Sequence, residues 1–221
     1  MSDADATPLY SPPPWAEYQT LEWLESCFAA QSIQFMIDCL PMIRRLLPGW
    51  PSQETFSVLD VGTGTGAGAN LLATLYQGED FGPRLKVDAI ELVPHLKRYA
   101  DAKFPLINYR VGDILAYDGD QRWDIVVCSH LIEHIEKPAE FASFLAGLAR
   151  RWVVFYAPWK EKALTPGHVS RIDRRFLRRL GSRQHMIIDS PGWRRSDERA
   201  RCVAFAVPGR AGRERSVPTT A

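Results

Sequence analysis

Four glycines, Gly62, Gly64, Gly66 and Gly68, fall within the stretch VLDVGTGTGAGANLL that runs from Val58 to Leu72. An apolar run, Phe56 to Val61, precedes them, and a segment rich in Ala and Leu follows. The pattern reads as a buried strand, a tight turn and a helix. Such a turn lets a ligand approach the backbone, because glycine has no Cβ and tolerates positive φ. The helix behind it offers unpaired N–H groups and a positive dipole end to the same ligand. Gly62, Gly64 and Ala67 also satisfy the loose G-x-G-x-x-G/A dinucleotide pattern. By itself the stretch predicts a nucleotide-like ligand. Asp60, on the strand before the turn, adds a carboxylate beside it.

Alternation along the rest of the chain sets the fold class. Further strand candidates are Leu85–Glu91, Ile107–Val111, Asp124–Ser129, Trp152–Ala157, His185–Asp189 and Cys202–Val207. Helical stretches lie between the first five, at Asn70–Tyr76, Pro94–Lys103 and Pro138–Arg150. Strand–helix alternation predicts an α/β fold, with helices on both faces of a Rossmann-like, seven-stranded, mostly parallel sheet. The last two strands are joined only by SPGWRRSDE, too short for a parallel crossover, so they should form a C-terminal antiparallel hairpin. Upstream, an amphipathic helix is expected near Trp15–Ala30 and a second near Ser32–Leu47, kinked or restarted at Pro41. Residues 1–51 then read as an N-terminal arm and helical lid, 52–207 as the main domain and 208–221 as a disordered tail.

Composition excludes several classes. The chain is 46% apolar and 24% charged, which is globular rather than disordered. No apolar run reaches the ~18 residues that span a bilayer, so no membrane role is expected. The N-terminus MSDADATPLYSPPP is acidic and proline-rich, unlike a secretion signal. Cys27, Cys39, Cys128 and Cys202 are scattered without a C-x-x-C pair, as expected of reduced thiols in a cytoplasmic protein.

The order of motifs resembles the class I S-adenosylmethionine-dependent methyltransferases over roughly Phe56 to Val207. VLDVGTGTG is similar to that family's first motif, which implies that Gly62, Thr63, Gly64 and Gly66 cradle the methionine part of the cofactor. Asp60 would orient the turn or meet the cofactor's amino group. Glu91, in VDAIEL, stands where the family places an acid on both ribose hydroxyls, with Leu92 beside it. Asp113, in VGDIL, matches the acid that bonds the adenine amino group, and Ile114 would pack on the ring. Each acid also has a plain reading: Glu91 as the start of a helix and Asp113 as a turn residue. All of them would lie at the carboxyl ends of strands, where open α/β sheets bind ligands.

The fourth strand leads into SHLIEH. Ser129 and His130 would border the methylthio end of the cofactor, and His130, Glu133 and His134 share one face if the segment is a helical turn. His168, in GHV after the fifth strand, sits in a loop able to close over the same mouth. The set resembles the E-x-x-E-H motif of metal-dependent O-methyltransferases acting on catechols and on RNA termini, with His130 in place of the first glutamate. The resemblance implies a divalent metal on His130, Glu133, His134 and His168, softer in character than a magnesium site. Without metal, His130, His134 or His168 is the candidate general base. The plain reading is helix capping and packing.

The acceptor is the least constrained part. Tyr10, Trp15, Tyr18 and Trp23 suit a lid or ordinary packing, and Trp159 and Lys160 are expected to face the mouth. Arg171, Arg174, Arg175, Arg178 and Arg179 fall at helical spacing on one face, which is either a solvated surface or a landing site for an anionic partner. The chain is therefore expected to be an S-adenosylmethionine-dependent methyltransferase acting on the hydroxyl of a small molecule. The alternatives are an RNA 2′-O-methyltransferase and a non-catalytic protein that binds the same cofactor.

Overall fold

A computed structural model describes residues 28–49, 54–78, 82–182, 184–195 and 198–210. Seven strands form one sheet: β1 (Thr55–Val61), β2 (Arg84–Glu91), β3 (Ile107–Val111), β4 (Trp123–Ser129), β5 (Ala149–Pro158), β6 (Gln184–Arg195) and β7 (Glu198–Pro208). Their order is β3-β2-β1-β4-β5-β7-β6. The first five pair in parallel, and β7 pairs antiparallel with both β5 and β6. The expected α/β sheet and its antiparallel end are both present.

The helices are α1 (Ala29–Leu46), α2 (Ala67–Leu75), α3 (Leu96–Lys103), α4 (Pro138–Leu148) and α5 (Arg174–Arg179). Period-two alternation sends the strand side chains into two cores. Val154 and Tyr156 of β5 join Phe35, Cys39, Met42 and Leu72 on one face, under α1 and α2. Val153, Phe155 and Ala157 join Phe141, Leu145 and Phe176 on the other, under α4 and α5. Central strands covered on both faces need a near-continuous apolar sequence, which WDIVVCS and RWVVFYAP supply.

Several boundaries differ from the sequence reading. Most of the expected helix near Trp15–Ala30 lies outside the described residues, as do Tyr10, Trp15, Tyr18, Trp23 and Cys27, and the tail beyond residue 210. The second helix runs from Ala29 to Leu46 as one element and does not restart at Pro41. Its buried side carries Phe35, Met36, Cys39, Met42 and Ile43, and that packing outweighs the single amide donor that proline lacks. The SPGWRRSDE connection is mostly strand, since β6 continues to Arg195 and β7 starts at Glu198. The five-arginine helical face does not form. Asp173 is extended and its side chain accepts from the Phe176 N–H, so α5 begins only at Arg174 and Arg171 stays in the preceding loop. The described cysteines, Cys39, Cys128 and Cys202, are buried free thiols. No described helix is long and apolar enough to cross a membrane.

Candidate active site

β1 and β4 are neighbours, and chain order reverses between them, with β2 and β3 on one side and β5 on the other. This is the switch point at which open α/β sheets place ligands. A cavity of about 350 Å³ opens at the carboxyl ends there. It is lined by Asp60, Gly62, Thr63, Gly64, Glu91, Leu92, Asp113, Ile114 and Ser129, nine of the ten residues expected to meet the cofactor. The tenth, Gly66, does not line it. Gly66 instead precedes α2 at φ 82°, and a Cβ there would meet Ile107 Cδ1 at 2.8 Å.

The turn is held by the strand beside it. The Gly62 and Thr63 N–H groups both donate to the Ile90 carbonyl, at 3.0 and 3.3 Å. Gly62 has φ 70°, and a Cβ at that position would fall 2.9 Å from Leu131 Cδ2. The Thr63 hydroxyl donates to Asp60 Oδ2 at 2.7 Å, so Asp60 orients the turn. Burial pushes the Asp60 carboxyl up to about 6, the Thr63 hydrogen bond opposes the rise, and the nearby charge of Glu91 adds to it. Glu91 Oε2 accepts from the Gly64 N–H at 2.9 Å and Oε1 from the Val93 N–H at 3.1 Å. Burial raises its carboxyl as well, against the pull of those two N–H groups. Asp113 Oδ1 accepts from the Leu115 N–H at 2.9 Å and starts a short 3₁₀ turn, Ile114–Ala116. Asp113 therefore has its plain turn role and a cavity-lining position at once, whereas Glu91 starts no helix: it ends β2, ties down the glycine turn and lines the cavity.

α1 forms the roof. Phe28, Gln31, Ser32, Phe35 and Met36 line the same cavity. Ser32 Oγ accepts from the Gly68 N–H at 3.2 Å, and a Cβ on Gly68 would lie 2.6 Å from the Ser32 carbonyl. That close approach requires glycine.

The histidine end is built differently from the sequence reading. SHLIEH is not a regular helical turn: His130 is left-handed, with φ 48°, and only Ile132–His134 form a 3₁₀ turn. His130 nonetheless reaches Glu133, its Nδ1 lying 3.0 Å from Oε1. Its ring stacks on Phe35 at 3.8 Å and meets Tyr156 edge-on at 5.1 Å. Glu133 is completely buried, and its Oε2 has no hydrogen-bond partner. Burial alone would raise the Glu133 carboxyl. The hydrogen bond and charge of His130, with the charge of His134, hold it below its ordinary value instead.

Glu133, His134 and His168 each offer a ligand atom within 4.8 Å of the others, and His130 is not in that group. Nδ1 of His134 lies 2.8 Å from the Gly167 carbonyl. Nδ1 of His168 lies 2.8 Å from Glu161 Oε2, and the other Glu161 oxygen accepts from the Thr165 hydroxyl at 2.7 Å. On neutral rings both Nδ1 atoms then carry the proton, which makes Nε2 the basic atom of each. Glu161 is the residue that sequence reading missed. Its only signal is a lone acid seven places before His168 in KEKALTPGH. Trp159 and Lys160, expected at the mouth, do not line the cavity, and Trp159 stacks with His185 instead.

Residues 58–151 match a family model described as a methyltransferase domain. No curated protein sequence matches the chain. Magnesium protoporphyrin IX methyltransferase from Synechocystis, solved with bound S-adenosylhomocysteine, is 16% identical with a TM-score of 0.56, covering 83% of this chain and 84% of that one. The N-methyltransferase NodS from Bradyrhizobium japonicum, also in complex with S-adenosylhomocysteine, is 14% identical with a TM-score of 0.59, covering 84% and 90%. A chain from the complex of the Haloferax volcanii Trm112 methyltransferase activator with a methyltransferase is 11% identical with a TM-score of 0.64, covering 90% and 100%. The fold is of the class I S-adenosylmethionine-dependent methyltransferase type.

Proposed function

We propose that this chain transfers a methyl group from S-adenosylmethionine to a hydroxyl of a small acceptor. One observation carries the reading: the same cavity is lined by the turn, Glu91 and Asp113 and by His130, His134 and His168. The cofactor's residues fit. Ser129 Oγ, next to His130 on the cavity wall, is buried without a partner. When bound, S-adenosylmethionine supplies an already activated methyl group, so the protein mainly aligns the acceptor and removes its proton. His168 is suited to the proton, because Glu161 fixes its tautomer and leaves Nε2 basic. His134 lies beside it, the two rings 4.9 Å apart.

Divalent metal assistance is the other form of this reading, in which His168 Nε2 is a ligand and not the base. Glu133, His134 and His168 would hold the ion, with His130, Gly167 and Glu161 as the groups that orient them. The buried, unpartnered Glu133 Oε2 supports this set, and two imidazoles with one carboxylate suit a borderline cation better than magnesium. A metal there would lower the pKa of a coordinated hydroxyl. The test is mass spectrometry of hydroxylated small-molecule extracts incubated with S-adenosylmethionine and the protein. A product heavier by one methylene, formed by wild type and not by His168→Ala, supports the proposal. Methylation at nitrogen or carbon only, or no product from any extract, sinks it.

A further inference from the structure

The exposed cations around the His168 loop take no part in the function proposed above. Residues 160–179 hold seven Lys and Arg against two acids, a net charge of +5 in a chain whose total is +1, so the remainder of the protein is net acidic. Both acids face local partners. Glu161 holds His168 and Thr165, and Asp173 caps α5. Among the described residues, Lys160, Lys162, Arg171, Arg174, Arg175 and Arg178 are all exposed and none takes part in an ion pair.

The fold gathers these charges at one place. The Lys160 N–H donates to the Ile172 carbonyl at 2.9 Å, and the Arg171 guanidinium donates to the Lys162 carbonyl at 2.8 Å. The two ends of the loop are thereby pinned together as a neck. The tip beyond the neck supplies Thr165, Pro166 and His168 to the cavity wall. α5 continues directly from the neck, with Phe176 and Leu177 inward and its arginines outward. Like charges concentrated on one short exposed segment repel one another, and no packing contact of the fold calls for so many of them. A multivalent anion on this basic face, which carries the loop whose tip lines the cavity, would relieve the repulsion, and guanidinium forks match phosphate oxygens two at a time.

We propose that the acceptor is phosphate-bearing, and that this neck and α5 bind its phosphate while the hydroxyl enters the cavity. The proposal rests on the methyl-transfer reading for the hydroxyl but not for the anion, so the two are tested separately. The full chain is titrated with inorganic tripolyphosphate and, separately, with a labelled single-stranded RNA oligonucleotide, at low and high salt. The variant is Lys162→Glu, Arg174→Glu, Arg178→Glu, which leaves the Arg171 hydrogen bond in place. Calorimetric titration of S-adenosylhomocysteine reports that the variant is folded with its cofactor site intact. Binding of tripolyphosphate that salt weakens and the variant loses by roughly tenfold or more supports a small phosphorylated acceptor. Binding of the RNA alone, with a log–log salt slope of about 0.7 for each phosphate engaged, supports the phosphate of a polymer. No binding of either probe, or binding that the variant leaves unchanged, overturns the proposal. Loss of S-adenosylhomocysteine binding by wild type would instead count against the methyl-transfer reading.

Discussion

Replacing Asp60 by Asn should stabilise the protein and weaken its cofactor site at once. Asp60 is 4% exposed, and burial lifts its carboxyl from an ordinary 3.8 to about 6. A carboxyl raised on folding favours the native state only while it is protonated. That advantage is complete below about pH 3.8 and disappears as pH rises through about 6, so at neutral pH the buried charge costs about 3 kcal/mol. Asparagine removes the charge, and its Oδ1 still accepts the Thr63 hydroxyl now bonded to Asp60. Its amide N–H₂ lacks an assigned partner, which returns roughly 1–2 kcal/mol. The net expectation is a gain of about 1–2 kcal/mol at pH 8 and, with the charge cost nearly gone, a loss of about 1 kcal/mol at pH 4. Urea unfolding followed by circular dichroism at several pH values measures this directly. The same variant should bind S-adenosylhomocysteine more weakly at pH 7, as stabilising changes in functional sites commonly do. An equal stability difference at pH 4 and pH 8, or a variant less stable at pH 8, would refute the reasoning.

Substitutions at three further residues separate roles at the histidine end. Glu133→Gln removes the one buried carboxylate of the candidate metal set. Calorimetry with Mn²⁺ or Zn²⁺ should show binding to wild type and at least tenfold weaker binding to the variant. Glu161→Gln can present an amide N–H to His168 and so favour the wrong tautomer, which should lower kcat by roughly 10–100-fold while leaving S-adenosylhomocysteine affinity near wild type. Equal kcat would remove Glu161 from the site. His130→Asn tolerates the left-handed backbone and can still donate to Glu133, so it should retain most activity, whereas His130→Ala should lose both bond and stack. If both variants are equally inactive, His130 acts on the reactants itself, as its sequence position suggests.

The sheet was legible because its signals are local. Apolar runs such as WDIVVCS need only burial on both faces, and the short link between the last two strands permits only an antiparallel pair. The acids that line the cavity carry the same kind of local signal, since Asp60, Glu91 and Asp113 each lie at or just past the carboxyl end of a strand. Gly66 is expected at the cofactor because positive φ and ligand contact select the same residue; in the structure it lies outside the cavity lining, with Ile107 against its Cβ position. The histidine cluster was half legible. Spacing joins His130 to Glu133, but the partner of His168 is fixed by a loop that folds back on itself, and no periodicity reports that fold. Arg171 was placed on a helix by spacing alone, and the Asp173 cap overrode it.

The proposed function requires the turn at the β1–β4 switch point to hold S-adenosylmethionine. Calorimetric titration of S-adenosylhomocysteine into the wild-type protein and into Gly62→Ala tests it most directly. Alanine at Gly62 must adopt φ near 70° and meet Leu131 Cδ2 at 2.9 Å, so it distorts the turn at a cost of about 1–3 kcal/mol. One site is expected in the wild-type protein and an affinity lower by roughly tenfold or more in the variant, both remaining folded. No binding to the wild-type protein, or equal binding to both, would contradict it.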